Sequence, residues 1–278
     1  MKILKRISIL LIALFFICNK TIAQSQSLTI ENSTVALDNV NILDSLLAGN
    51  GGAAKNQVLH RADFEIIITS GNECLKVITE LQASLINNKY LNPELNLPVS
   101  NGADRSNKHI YKNAVVRKIV FEELNASLSN YAKIIVTIEA ASIEVTENVF
   151  TDRPERNIKA ALVSNYRIKL GSLPCDRIAK ISEMQIGSGS GLPTATVKLS
   201  GADEKIWNEQ FSNGANKMIT DGTVEILSAD LKTVILSFNL KNITIVSYKI
   251  KISSADQIGK STFLLKMGSV LIDTKTGK

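Results

Sequence analysis

Histidine is the scarcest chemically versatile residue in this 278-residue chain, which holds only two, His60 and His109. Neither has an acid or a cysteine at a ligand spacing, so a zinc site or a Ser-His-Asp triad has almost nothing to be built from. Both are expected as solvated loop histidines. Cysteine is nearly as rare, at three. Complete nucleotide-binding loops are also missing. The phrase GKST (Gly259 to Thr262) has Ser254 where a phosphate loop needs its first glycine, and strand-like FLLKM follows instead of a helix. It reads as a turn. GSGSG (Gly187 to Gly191) lacks the strand-turn-helix setting of a dinucleotide fingerprint and reads as a mobile loop. These shortages point away from an enzyme and imply no catalytic residue, no cofactor and no metal.

Long runs of one charge are absent too. The chain holds 32 Lys+Arg and 26 Asp+Glu, but Lys2, Lys5, Arg6 and Lys20 all precede Ala23. Beyond that point 28 basic residues face 26 acidic ones. A nearly neutral chain has no electrostatic case for binding nucleic acid.

What is present begins with the N-terminus. In MKILKRISILLIALFFICNKTIAQ, basic residues precede the apolar run Ile7 to Cys18, and Thr21-Ile22-Ala23 ends in a small residue. That is the layout of a secretory signal, and the run is too short for a transmembrane helix. Ile17 is bulky where a lipoprotein site before Cys18 wants a small residue, so cleavage is expected after Ala23. The protein is then exported, to a periplasmic or extracellular destination. An oxidising compartment invites a disulfide between Cys74 and Cys175. Their matching positions in a repeated stretch favour instead two half-buried thiols in equivalent strands, too far apart to bridge.

The composition, 45% apolar and 21% charged, is that of a folded protein of one or two domains. The stretch Gln24 to Asn41 is polar and poorly patterned, VNILDSLL has room for two helical turns, and AGNGGAAKNQ reads as a linker. DFEIIITSG reads as a strand. ECLKVITELQASL alternates in a way that suits a strand, with a helix as the alternative. Asn87 to Asn113 is loop-like. VVRKIVFEEL and AKIIVTIEAASIEVTENVF restore the strand signal, the second with room for two strands. TDRPERN (Thr151 to Asn157) is the best boundary between two units. Beyond it come a strand in NYRIKL, a Gly-Ser-Leu-Pro turn and a second strand near Cys175, then TATVKLSG. ADEKIWNEQFS is a helix with Ile206, Trp207, Gln210 and Phe211 on one side, where a buried helix-on-barrel contact outranks an exposed anchor for Trp207. DGTVEILSADLKTVILSFNLKNITIVSYKIKIS supplies three strands, the last two divided at Lys241-Asn242, and STFLLKMGSVLID one or two more. The expected organisation is a signal over 1–23, a segment and linker over 24–57, a first β domain over 58–150 and a second over 151–278.

The halves also resemble each other. Phe64 pairs with Tyr166, Cys74 with Cys175, ITELQ from Ile78 with ISEMQ from Ile181, and IEAASIEV from Ile138 with LKNITIVS from Leu240, at offsets of 101 to 103. Three blocks in one order predict a duplication, against the alternative that generic strands look alike.

The second half, from about Asn157 to Asp273, resembles the tail-tube protein family of T4-like contractile phages, akin to the haemolysin-coregulated ring protein of type VI secretion. The resemblance runs through NYRIKLGSL, AKISEMQIGSG, TATVKLSGADEKIWNEQF, the hairpin DGTVEILSADLKTVILSFNLKNITIVSYK and the closing STFLLKMGSVLI. Glu183 stands where the family has a glycine, and Ile243-Thr244-Ile245 where it has tryptophan-proline. The family's members assemble in the cytoplasm, whereas this chain begins with an export signal. What the resemblance implies is a mainly β fold, a barrel or sandwich with one flanking helix per unit. Two such units in tandem would form rings by edge-to-edge contact, six units from three chains, stacking into tubes with other tail-like components. The alternative from a different class is an exported β-sandwich whose loops bind a surface glycan or protein partner.

Overall fold

The computed structural model describes residues 26–47, 57–99, 105–149, 159–188, 194–200, 203–212, 219–251 and 260–273. The signal-like leader and the boundary at Thr151 to Asn157 lie outside the described residues.

The first half supplies strands β1 (Ser27–Ile30), β2 (Ser33–Leu47) and β3 (Gln57–Ile67), helix α1 (Asn72–Asn87), then β4 (Glu94–Pro98), β5 (Arg105–Lys112), β6 (Val115–Phe121), β7 (Leu124–Asn125), β8 (Lys133–Ala140) and β9 (Ser142–Val149). The second supplies β10 (Tyr166–Leu170), β11 (Ile178–Ile181), β12 (Met184–Gln185), β13 (Gly187–Ser188), β14 (Thr194–Ser200), helix α2 (Asp203–Ser212), β15 (Ile219–Leu227), β16 (Val234–Lys251), β17 (Lys260–Lys266) and β18 (Ser269–Asp273).

Every strand pair is antiparallel. One sheet runs β12-β6-β8-β3-β2-β1-β4-β5-β9; the other runs β10-β15-β16-β17-β14-β11-β7, with β18 on β16 and β13 on β18. In the first sheet β5 and β6 are two arms of one bent strand, and so are β8 and β9. The register Lys112↔Ser142 on one arm continues as Val115↔Glu139 on the other. The pairs β6-β8 and β5-β9 on opposite flanks of the sheet therefore belong to one bent hairpin, and the sheet curls nearly into a barrel, with β12 added outside β6. The mainly β fold class read from the sequence is the one observed.

ECLKVITELQASL is a helix. Its buried residues Cys74, Val77, Ile78, Leu81 and Ser84 recur at three- and four-residue steps, so one stripe faces the core. The alternation of Leu75, Val77, Thr79 and Leu81 that suggested a strand is a by-product of that stripe. Asn88 ends the helix in the left-handed region, at φ 52°. Buried Ser84 is fully used: its hydroxyl donates to Lys89 O at 2.6 Å and accepts from Val116 N at 3.1 Å.

Other expectations are also revised. Gln24 to Asn41 is not unpatterned at its described residues, for it contributes β1 and most of β2, and VNILDSLL is strand; the linker expected over Ala48 to Gln57 lies outside the described residues except for Gln57, which opens β3. The loop-like span Asn87 to Asn113 holds β4 and β5. Lys241-Asn242 does not divide two strands but bends β16, whose first part pairs with β15 and β18 and whose last part pairs with β17.

The two halves share a pairing scheme, though not in the alignment expected. β1-β4-β5-β9 has its counterpart in β10-β15-β16-β18, and β2-β3-β8-β6 in β11-β14-β17-β16. Irregularities fall at matching places. Glu31 (φ 55°) and Gly171 (φ 54°) turn the chain after β1 and β10. The β2–β3 register shifts between Leu37 and Asn39, and the β11–β14 register between Ile178 and Lys180. The β6–β8 register shifts between Val116 and Lys118, and the β16–β17 register between Ile245 and Ser247. Left-handed Asn113 and Asn242, each at φ 52°, sit at the two bends. Across the facing strands, the pair Phe64↔Val136 answers Val197↔Phe263, so the large and small residues change sides and volume is conserved. Phe64 thus stands where Val197 stands, not Tyr166, and Cys74 has no counterpart in Cys175. The two halves are not separately cored: buried residues from both form one contiguous apolar cluster.

Candidate functional site

The residues singled out for chemistry do not converge. His60 and His109 lie on β3 and β5, not in loops. His60 Nδ1 is 2.9 Å from Asp44 Oδ1, so it does have an acid beside it, across the strand pair. His109 is half-buried, its Nδ1 has no partner, and burial lowers its pKa against the opposing pull of Asp44. Cys74 is buried on α1 and Cys175 half-buried in the connection after β10; both are free. They do not occupy equivalent strands. Burial pushes the Cys74 thiol up and the Cys175 thiol up to about 11, which makes both poor nucleophiles. Lys260 to Thr262 open β17 and make no turn, while Gly259 lies outside the described residues. Gly187 and Ser188 form β13; the rest of GSGSG lies outside. Trp207 is the buried helix-on-barrel contact expected. Its Nε1 donates to Pro174 O at 2.8 Å, and its ring packs 5.1 Å from that of Phe263. Ile206 is exposed and does not belong to that stripe. Among the described residues no group of three or more His, Cys, Asp or Glu is placed to hold a metal ion.

The built feature is the junction of the halves. β6 ends at Phe121, passes Glu122 and Glu123, and resumes as β7; β11 ends at Ile181, passes Ser182 and Glu183, and resumes as β12. Val120↔Gln185, Phe121↔Met184, Leu124↔Ile181 and Asn125↔Lys180 form one antiparallel register carried across both gaps. Backbone bonds extend it at either end, Ile186 N to Ile119 O at 2.9 Å and Ala126 N to Ala179 O at 3.0 Å. Each half thus lends two residues to the other's sheet. The Phe121 ring meets Phe238 of the second half edge-on, with centroids 4.8 Å apart. Lys180 donates to the Glu123 carboxylate, and this bond holds Glu123 below the usual carboxylate range. Glu122 is pushed above that range, chiefly by burial. Beside the junction, α1 of the first half reaches β18 of the second, where Gln82 bonds both backbone groups of Ile272.

The junction makes a single eight-stranded wall in the order β2-β3-β8-β6-β11-β14-β17-β16, counting the β7 and β12 extensions with their strands. Its two ends differ from its middle. From Asn39 to Leu47, β2 pairs only with β3, and from Thr244 to Lys251, β16 pairs only with β17 among the described residues. Leu43 and Val246, on these edges, are 43% and 42% exposed.

Sequence reasoning missed this junction because its parts carry no motif; β7 and β12 are two residues long. No protein-family model matches the sequence, and no curated protein matches it. Among the described residues no helix is long and apolar enough to cross a membrane.

Proposed function

We propose that this chain is an exported structural protein that self-associates edge to edge into rings or tubes, in the manner of tail-tube subunits. The observation that carries the reading is the eight-stranded wall. Two units of like pairing scheme are already joined through strand edges, and the same kinds of edge stand unpaired at both ends among the described residues. An unpaired edge offers a row of backbone donors and acceptors to another chain. A head-to-tail contact between unlike edges closes into a ring when its rotation closes, and three chains would supply six units. Such a role asks nothing of histidines or thiols. The leader supports export.

Light scattering on the purified protein, together with negative-stain microscopy, tests the reading. Trimers or larger species, seen as rings or tubes, are expected. A strict monomer at high micromolar concentration overturns it and favours a binding module for a surface glycan or protein.

A further inference from the structure

Three adjacent strands of the wall differ in charge from the rest of the chain. β14, β17 and the last part of β16 (Thr244 to Lys251) hold five lysines, Lys198, Lys249, Lys251, Lys260 and Lys266, and no Asp or Glu. Of the 28 basic residues beyond Ala23, setting these five aside leaves 23 against 26 acidic ones. The register puts all five positions on one face. Thr262 pairs with Lys198 on one side and Lys249 on the other; Lys266 stands between Thr194 and Thr244, and Lys260 between Ser200 and Lys251. Thr196 and Ser247 fall on the same face, either side of Leu264. The opposite face is core, with Val197, Phe263 and Leu265 buried.

This face is not neutralised from within. Lys180 of β11 stands directly opposite Lys198, and Lys251 directly opposite Lys260. Like charges directly opposite each other destabilise a sheet. Lys180 is bonded to Glu123, whose carboxylate also feels Lys198. Exposed Lys198, Lys249 and Lys266, however, have no ion pair among the described residues. The corresponding strands of the first half behave differently: there Lys133 is paired with Asp38 and Glu65, Arg61 with Asp63, and Arg117 with Glu139.

We infer that this face binds an extended acidic polysaccharide, with its carboxylate or sulfate groups on the lysines and its hydroxyls on the threonines and serines between them. Charge complementarity selects a polyanion. Same-face residues recur about every 6.6 Å along a strand and strands lie about 4.8 Å apart, so the charges form a flat lattice that suits an extended chain. The residue types select the glycan. Nucleic acids are held by arginine forks and by aromatic rings that stack on bases. These strands contain no Arg, and their aromatics, Tyr248 and Phe263, stack on each other on the core face. A bilayer surface calls for apolar or aromatic anchors beside the lysines, and this face offers half-buried Leu264 and the bulge residue Val246. The inference goes beyond self-association and does not depend on it.

Calorimetry on the whole protein tests it, with polygalacturonate and dextran sulfate carrying the two acid types, and neutral dextran, duplex DNA and anionic phospholipid vesicles for comparison. Wild type should bind at least one acidic polymer, more weakly as salt rises, and should ignore dextran. Lys198→Gln, Lys249→Gln and Lys266→Gln together should weaken that binding about tenfold. Lys118→Gln, Lys169→Gln and Lys205→Gln remove as much charge from exposed positions elsewhere and should change it less than about twofold. In the wild type, the bound polymer should also shield Lys198, Lys249 and Lys266 from acetylation, a readout that needs no variant. Neither acidic polymer bound, equal loss in both triple variants, absent shielding, or tighter binding of DNA or vesicles through the same lysines overturns the inference. A monomer that binds through these lysines overturns self-association alone.

Discussion

The side chain of Gln82 occupies both backbone groups of Ile272, donating from Nε2 to the carbonyl at 3.0 Å and accepting from the amide at 2.5 Å. A glutamine amide has the donor and acceptor spacing of a peptide group, so the α1 side chain stands in for a neighbouring strand on β18. The contact spans 190 residues of sequence and ties the first helix to the last strand.

Gln82→Ala strands a partly buried donor and acceptor. It should cost about 1–3 kcal/mol, read as a lower urea midpoint with unchanged slope. Gln82→Glu should fare no better than alanine, since a carboxylate cannot donate to the Ile272 carbonyl.

Phe121 is fully buried against Phe238, so Phe121→Ala should open a cavity across the junction and cost about 3–5 kcal/mol. Because the halves share one core, circular dichroism and the fluorescence of the lone Trp207 should report the same unfolding midpoint, both before and after the substitution. Separate midpoints would show halves that unfold independently.

Glu122 ionises above its ordinary 4.5 because burial penalises its charge. The folded state therefore binds the proton more tightly than the unfolded chain, and the ionised group weakens the fold at neutral pH. That penalty fades as pH falls through the raised value towards 4.5. Glu122→Gln should raise the melting temperature at pH 7 and change little at pH 4.

Asn242 holds a left-handed backbone at the bend of β16, with Gly268 donating to the neighbouring Lys241 O at 2.9 Å. Asn242→Gly should be tolerated and Asn242→Val should cost about 1–2 kcal/mol or more, because a β-branched residue resists positive φ. Paired denaturation curves distinguish the two.

Cys175, its thiol pushed up to about 11 mainly by burial, should react slowly with a disulfide reagent at pH 7.5, and Cys74 only on unfolding. Rapid labelling of either native thiol would contradict the burial described.

The strands from Val115 to Phe121, Lys133 to Val149 and Thr194 to Ser200 were legible because β-branched residues mark them locally. The α2 helix was legible because Trp207 and Phe211 stand on one stripe. The α1 helix was not, since Val77 and Leu81 satisfy both a two-residue alternation and a helical stripe, and only burial of Cys74 and Ile78 on the same side separates them. Matching by residue type sets Phe64 against Tyr166, whereas the shared strand-pairing scheme sets it against Val197. The markers of that scheme are backbone events, two register shifts and the left-handed residues Glu31, Gly171, Asn113 and Asn242, which unlike residue types can satisfy.

By itself the sequence determined a mainly β chain, with two histidines and three cysteines and a short apolar run behind basic residues at its start. Composition and local pattern suffice for that, because they act over a few residues. Tertiary structure alone decided that β7 and β12 cross between the halves, that Gln82 meets Ile272, and that one wall ends in two edges unpaired among the described residues. Those facts depend on which strands lie side by side, and strand pairing is settled by long-range burial and backbone hydrogen bonding that no short stretch of sequence records.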